Sequence, residues 1–143
     1  MSVRAILKVK GQRVVTIEPA ASIKDAVATL AREHIGSVVV TDDTQTVIGI
    51  LSERDIIQAL QRHGASILDL SAQDLMTRAF TAATIDMHID QVLDIMTQGR
   101  FRHMPVLEDG RLAGMVSIGD AVKARLDMLE SETTQLKEYI GGR

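Results

Sequence analysis

Apolar residues fall into two rhythms along this chain, one with a period near four and one continuous, and the switches between them mark out elements. Val3, Ile6 and Leu7 share one face of a short helix that Ser2 can cap, and Gly11 stands where a helix-ending glycine is expected. Residues 14–17 are β-prone and close at Pro19. Ser22, with Asp25 three positions on, opens a helix whose stripe is Ile23, Val27 and Leu30 and whose stop is Gly36. Val38-Val39-Val40 reads as a strand buried on both faces, residues 42–46 as a turn and 47–51 as the returning strand. Ser52 then starts a helix carrying Ile56, Ile57 and Leu60. The first half is therefore β-α-β-β-α. Residues 62–73 hold no sustained period and read as a connector, with one helical turn at Asp74-Leu75-Met76-Thr77.

The same order then returns. Residues 80–82 correspond to 14–16, and Ile89, Val92, Leu93 and Met96 form the matching helical stripe. Residues 103–107 correspond to 37–41, with Glu108-Asp109-Gly110-Arg111 as the hairpin turn. Counted from Ser37 to His103 the repeat offset is 66, and from Gly49 to Gly114 it is 65. An offset that changes only at a turn, where losing a residue costs least, argues for duplication. After Asp120 the last helix runs on: Val122, Leu126, Leu129, Thr133, Leu136 and Ile140 are spaced 4, 3, 4, 3, 4, a heptad-like seam that Gly141-Gly142 ends. The seam suits a tail helix packed on its own domain or a dimer contact.

Two near-copies carry the candidate chemistry, Gly49-Ile50-Leu51-Ser52-Glu53-Arg54-Asp55-Ile56 and Gly114-Met115-Val116-Ser117-Ile118-Gly119-Asp120-Ala121. Each is a strand running into a helix that its Ser can cap. The helix N-terminus, with its amides and positive dipole end, favours a bound phosphate. Ser-x-x-Asp is equally a capping-box variant that needs no ligand. Two occurrences in register indicate two equivalent corners.

Bulk composition narrows the function classes. A hydrophobic share of 45% with 24% charged residues describes a soluble globular chain, and 143 residues suit one compact unit or two mutually dependent halves. A net charge of -3 and 2% aromatics remove the basic footprint and stacking platforms of nucleic-acid binders. No apolar run is long enough to span a bilayer and no signal peptide is evident, so a cytoplasmic location without membrane partners is expected. The absence of Cys removes disulfides, thiolate metal sites and Cys nucleophiles. His34, His63, His88 and His103 fall in different elements, with His34 and His88 expected at helix surfaces. No metal-binding His pair, Walker loop or nucleophile elbow is present, and an enzyme is not expected. The seven Met residues suit core filling or an adaptable pocket.

Two β-α-β-β-α units that each end in strand–Ser-x-x-Asp–helix resemble a tandem pair of CBS domains, the Bateman module, over roughly residues 12–127. Ile35-Gly36-Ser37-Val38-Val39-Val40, Arg102-His103-Met104-Pro105-Val106 and the two Ser-x-x-Asp segments carry the likeness. Lys8-Val9-Lys10-Gly11 and Glu138-Tyr139-Ile140-Gly141-Gly142 are similar to the short stand-alone bacterial members. The resemblance implies an α/β (α+β) fold, two units about a pseudo-twofold axis, with an N-terminal helix at 1–11, units at 12–70 and 71–127, and an extended C-terminal helical tail at 128–143. It further implies a non-catalytic regulatory module that binds AMP, ADP, ATP, NAD(H) or S-adenosylmethionine in clefts between units, AMP foremost, and signals as an energy sensor to an unknown regulated protein, as a homodimer. One cleft would draw on Thr16, Ile17, Ile35, Gly36, Ser37, Arg102, His103, Met104, Pro105, Ser117 and Asp120; the second on Ser52, Arg54, Asp55, Thr81 and Ala82. In this reading each Asp accepts from the ribose hydroxyls, and Ser, Arg102 and His103 meet phosphate. The Ser117/Asp120 cleft, which has the basic pair, is the better expected site. The alternative is a constitutive dimerisation or interaction scaffold with unoccupied clefts.

Overall fold

The computed structural model describes residues Met1 to Gly141; Gly142, expected to help end the last helix, lies outside the described residues, as does Arg143. The elements run α1 (Val3–Lys10), β1 (Thr16–Ile17), α2 (Ile23–Glu33), β2 (Ser37–Thr41), β3 (Val47–Ser52), α3 (Glu53–His63), a 3-10 turn (Gly64–Asp69), α4 (Ala72–Leu75), β4 (Ala83–Thr84), α5 (Ile89–Gly99), β5 (His103–Glu108), β6 (Arg111–Ser117) and α6 (Ile118–Gly141). The fold is the expected mixed α/β arrangement, with two three-stranded sheets ordered β1-β2-β3 and β4-β5-β6. The chain divides into two compact units. One, the Ser52 unit, holds Arg13–Thr81 and Glu108–Leu112. The other, the Ser117 unit, holds Met1–Gln12, Ala82–Leu107 and, among the described residues, those from Ala113 to Gly141.

In the Ser52 unit β1 runs parallel to β2, and β2 antiparallel to β3 with Ser37 opposite Ser52. Val38, Val39 and Val40 are fully buried, as expected for a covered sheet. Each expected stripe is buried in part, with an alanine taking the place of a larger residue. Ile23, Ala26 and Leu30 are buried on α2, and Ile56 and Ala59 on α3, while Val27, Ile57 and Leu60 are exposed. Spacings of three and four both fit a helical stripe, so packing chose between them, and the small Ala26 and Ala59 lie in the core. The helix stop also moves: α2 ends on His34 in the left-handed region (φ 56), not at Gly36. The connector is structured. Its 3-10 turn buries Ile67, and Ala72 and Gln73 donate to the Ala21 and Pro19 carbonyls just ahead of α2.

The Ser117 unit repeats this plan. β4 is parallel to β5, with Ala83 opposite Val106. The strand expected at 80–82 forms instead at Ala83–Thr84, and that expected at 14–17 narrows to Thr16–Ile17; parallel pairing with β5 and β2, not β-propensity, sets their extent. The turn that joins β5 to β6, which the division counts with the Ser52 unit, lies on Asp109 (φ 52) and Gly110 (φ 78), as the Asp-Gly pair predicts. α5 ends on Arg100 (φ 57), the equivalent of His34. His88 is not merely a helix-surface residue: it caps α5 where Ser22 caps α2, its Nδ1 accepting from the Asp90 amide at 3.2 Å. The segment before the first repeat packs here: Val3, Ile6 and Leu7 of α1 lie in one core with Ile89, Val92, Met96, Met104 and Val116. Met96 and Met104 are fully buried, so these two act as core filler.

Candidate functional site

Each Ser-x-x-Asp segment folds into a reciprocal cap at the start of its helix. At the first corner the Asp55 amide donates to Ser52 Oγ (3.2 Å), and Asp55 Oδ2 accepts from the Ser52 amide (2.9 Å) and hydroxyl (3.0 Å). At the second, the Asp120 amide donates to Ser117 Oγ (3.1 Å) and Asp120 Oδ2 accepts from the Ser117 amide (2.9 Å). The next helical amide is used at both corners as well: Glu53 N–H donates to the Gly36 carbonyl (2.9 Å) and Ile118 N–H to the Arg102 carbonyl (2.8 Å). Both aspartates thus face their own backbone, as a capping box requires. Much of each helix N-terminus expected to be open to phosphate is engaged within the fold.

A second shared feature was not legible in the sequence. At each corner a residue from the segment preceding the other repeat reaches the aspartate. Thr77 forms an isolated bridge with Ile50, its amide donating to the Ile50 carbonyl (2.8 Å) and its hydroxyl to Asp55 Oδ1 (3.2 Å). At the other corner Lys10 performs both tasks with one ammonium, donating to the Met115 carbonyl (2.8 Å), the equivalent of Ile50, and to Asp120 Oδ2 (2.6 Å). From Lys10 to Thr77 the offset is 67, the same as from Thr16 to Ala83. That numerical match was the available signal; nothing local to Lys10 announces a partner so distant in the chain.

The corners consequently differ in charge and in spare acceptors. Asp55 spends both oxygens on Ser52 and Thr77. Asp120 spends only Oδ2 in its bonds to Ser117 and Lys10, and its side chain is 25% exposed. Burial pushes the Asp120 carboxyl up, but the Lys10 hydrogen bond, the Ser117 amide and hydroxyl, and the Lys10 charge outweigh it and hold the group below the ordinary carboxylate value. Gly119 stands in the second cap where Arg54 stands in the first, and a Cβ built on it would meet only Ser117 Oγ, at 3.7 Å.

The other expected site residues distribute by unit. Ile35, Gly36 and Ser37 lead into the strand beside Ser52, and Ser37 Oγ is buried without a hydrogen-bond partner among the described residues. Arg102, exposed, and His103, half-buried, occupy the matching place beside Ser117. Thr16 is exposed and Ile17 half-buried on β1; Thr81 is exposed and Ala82 half-buried ahead of β4. Arg54 is exposed on the first turn of α3. Met104 and Pro105 are buried, and the Met104 side chain belongs to the core, which corrects its expected role as a pocket lining. The expected grouping of residues 16, 17 and 35–37 with Asp120 draws on residues from both units. Among the described residues there is no cluster of three metal-ligating side chains, and no helix is long and apolar enough to cross a membrane.

Comparison with known families decides the affiliation. The CBS domain model matches twice, over residues 6–62 and 72–127. The chain belongs to the CBS-domain family. It resembles the crystal structure of a CBS-domain containing protein from Agrobacterium tumefaciens with a TM-score of 0.85 and 47% identity, covering 87% of this chain and 99% of that one. An uncharacterised 17.7 kDa protein of Acidianus ambivalens is 32% identical over 91% of this chain and 78% of its own length. The CBS domain pair of protein MJ0100, solved in complex with 5′-methylthioadenosine and S-adenosyl-L-methionine, matches with a TM-score of 0.77 and 25% identity over 87% of this chain and 98% of that one. CBS-domain proteins are generally regulatory modules, and this chain is a tandem CBS pair.

Proposed function

We propose that this CBS pair is a non-catalytic cytoplasmic regulator that binds an adenosine-containing ligand, AMP foremost among AMP, ADP, ATP, NAD(H) and S-adenosylmethionine, at the Ser117–Asp120 corner. The observation that carries the reading is the division of labour within the Asp120 carboxylate: Oδ2 is held by Ser117 and Lys10, leaving Oδ1 as an acceptor for a ribose diol. Lys10 supplies a positive charge at the same place, and open space around Gly119 lets an anionic group approach the helix start. Arg102 and His103 add basic groups beside the corner. The adenosine ligands of the MJ0100 pair agree with this chemistry. Two copies pair, and a regulated protein reads the ligand-dependent difference; such a response requires unequal affinity for two arrangements.

The Ser52 corner favours a second reading, that of a structural cap. Both Asp55 oxygens are already hydrogen-bonded, which is the condition expected of a scaffold. Ser37 Oγ is the contrary observation there, since a buried hydroxyl without a partner is costly and a ligand group would relieve it. Thermal unfolding with AMP, ATP, NAD and S-adenosylmethionine tests the proposal. A raised midpoint with at least one of them, lost in Asp120→Ala, is the expected result. No shift with any at millimolar concentration leaves the scaffold reading for both corners.

A further inference from the structure

The α6 helix has two apolar faces, and its own unit uses only one. Ala121 and Ala124 are buried in the core of the Ser117 unit, with Met128 packed against it. The heptad-like seam lies elsewhere: Val122, Leu126, Leu129, Leu136 and Ile140 are 44%, 54%, 41%, 61% and 63% exposed, and Thr133 is exposed among them. Packing on its own domain therefore does not account for the seam. At 1.5 Å per residue it extends for about 27 Å along the helix, and a strip of that kind calls for a partner.

We propose that the seam pairs with the same seam of a second copy, as a parallel, in-register two-stranded coil. Charge complementarity selects both the occupant and its direction. With Leu126, Thr133 and Ile140 at the a positions and Val122, Leu129 and Leu136 at d, the flanking g positions hold Arg125 and Glu132, and the e positions hold Lys123, Glu130 and Lys137. A parallel pair sets each g residue against the e residue five positions on in the other copy. Glu132 then meets Lys137 and Arg125 meets Glu130, each twice by symmetry. The Glu132–Lys137 pair carries more of the argument, because Arg125 already lies 3.8 Å from Asp90 in its own unit. An antiparallel pairing over the same length sets Glu132 against Glu132 and Lys123 against Lys137. From Leu129 on, the seam follows the pattern that favours two strands, β-branched Thr133 and Ile140 at a with Leu129 and Leu136 at d, while Leu126 and Val122 reverse it. Thr133 Oγ1 donates to the Leu129 carbonyl at 2.9 Å, so its hydroxyl brings no unsatisfied donor to the seam.

The inference deepens the pairing named under the proposed function and is independent of any ligand, so its failure and that of the nucleotide reading are separable. The chain has no Cys, which makes single-cysteine variants of the full chain clean reporters. Sedimentation should show a dimer at tens of micromolar. Leu126→Cys and Leu136→Cys should each cross-link to themselves on mild oxidation, whereas in an antiparallel pair those positions join only when the two variants are mixed. Glu132→Lys should raise the dimer dissociation constant about tenfold, and Glu132→Lys with Lys137→Glu should recover it. A monomer, a dimer in which Leu136→Cys does not self-link, or a Glu132→Lys variant that dimerises unchanged overturns the proposal.

Discussion

The Ser52 and Ser117 corners descend from one pattern, and the difference between them is the polar group that closes each aspartate. At Ser52 a backbone amide and a hydroxyl of Thr77 serve the Ile50 carbonyl and Asp55, so the corner is closed by neutral donors. At Ser117 the Lys10 ammonium replaces both donors on the Met115 carbonyl and Asp120. One substitution of role changes a neutral clasp into an ion pair and leaves Asp120 Oδ1 without a donor among the described residues. Duplicated corners with the same Ser-x-x-Asp spacing are therefore not duplicated sites. What distinguishes them comes from segments far away in the chain.

The largest expected effect that can break this comparison is on ligand response. At a hundredfold excess over its dissociation constant a ligand adds about 2.7 kcal/mol, which for a chain of this size is about 5–10 °C in the unfolding midpoint. Asp120→Ala should erase that shift and Asp55→Ala should retain most of it; equal losses in the two variants, read by differential scanning fluorimetry, would mean the corners are equivalent.

Next in size is the contact behind each corner. A Cβ at Gly49 would lie 2.5 Å from Met76 Sδ and 3.1 Å from the Thr77 carbonyl, whereas the three atoms nearest to one at Gly114 all belong to the Leu7 side chain, the closest at 2.7 Å. Gly49→Ala and Gly114→Ala should each cost about 1–3 kcal/mol in urea denaturation. Gly49→Ala should be the worse, because a backbone oxygen yields less readily than a side chain.

Cap removal is smaller. Ser52→Ala and Ser117→Ala should each lose about 1 kcal/mol in urea denaturation, because each hydroxyl accepts from the aspartate amide three residues on. A loss at one corner and none at the other would mean that the two caps are not equivalent.

The smallest effect concerns acid. The Asp120 carboxyl is held low in the folded chain, so its contribution to stability is present above the unfolded carboxylate pKa of about 3.9 and fades as pH falls through the lower folded value. Lys10→Met should raise the Asp120 value and flatten that acid loss. Carboxyl NMR titration together with denaturation midpoints at neutral and acid pH would read it. An unmoved Asp120 titration would mean that Lys10 does not hold the carboxylate.

The amino-acid sequence by itself determined the element order, the duplication and the caps, because each is written in short-range chemistry. Ser22, Ser52 and Ser117 bond amides three residues away, the valine run of β2 is buried, and Asp109-Gly110 turns its hairpin. The tertiary structure alone decided that Ala26 and Ala59 face inward in place of Val27 and Leu60, since spacings of three and four both satisfy a helical period, whereas Val3, Ile6 and Leu7 of α1 and Ile89, Val92 and Met96 of α5 are buried as their spacing predicts. It likewise decided that Asp120 receives a lysine from α1 and Asp55 a threonine from the connector. Those bonds join residues brought close only when the chain has folded back on itself, and local pattern holds no record of such return paths.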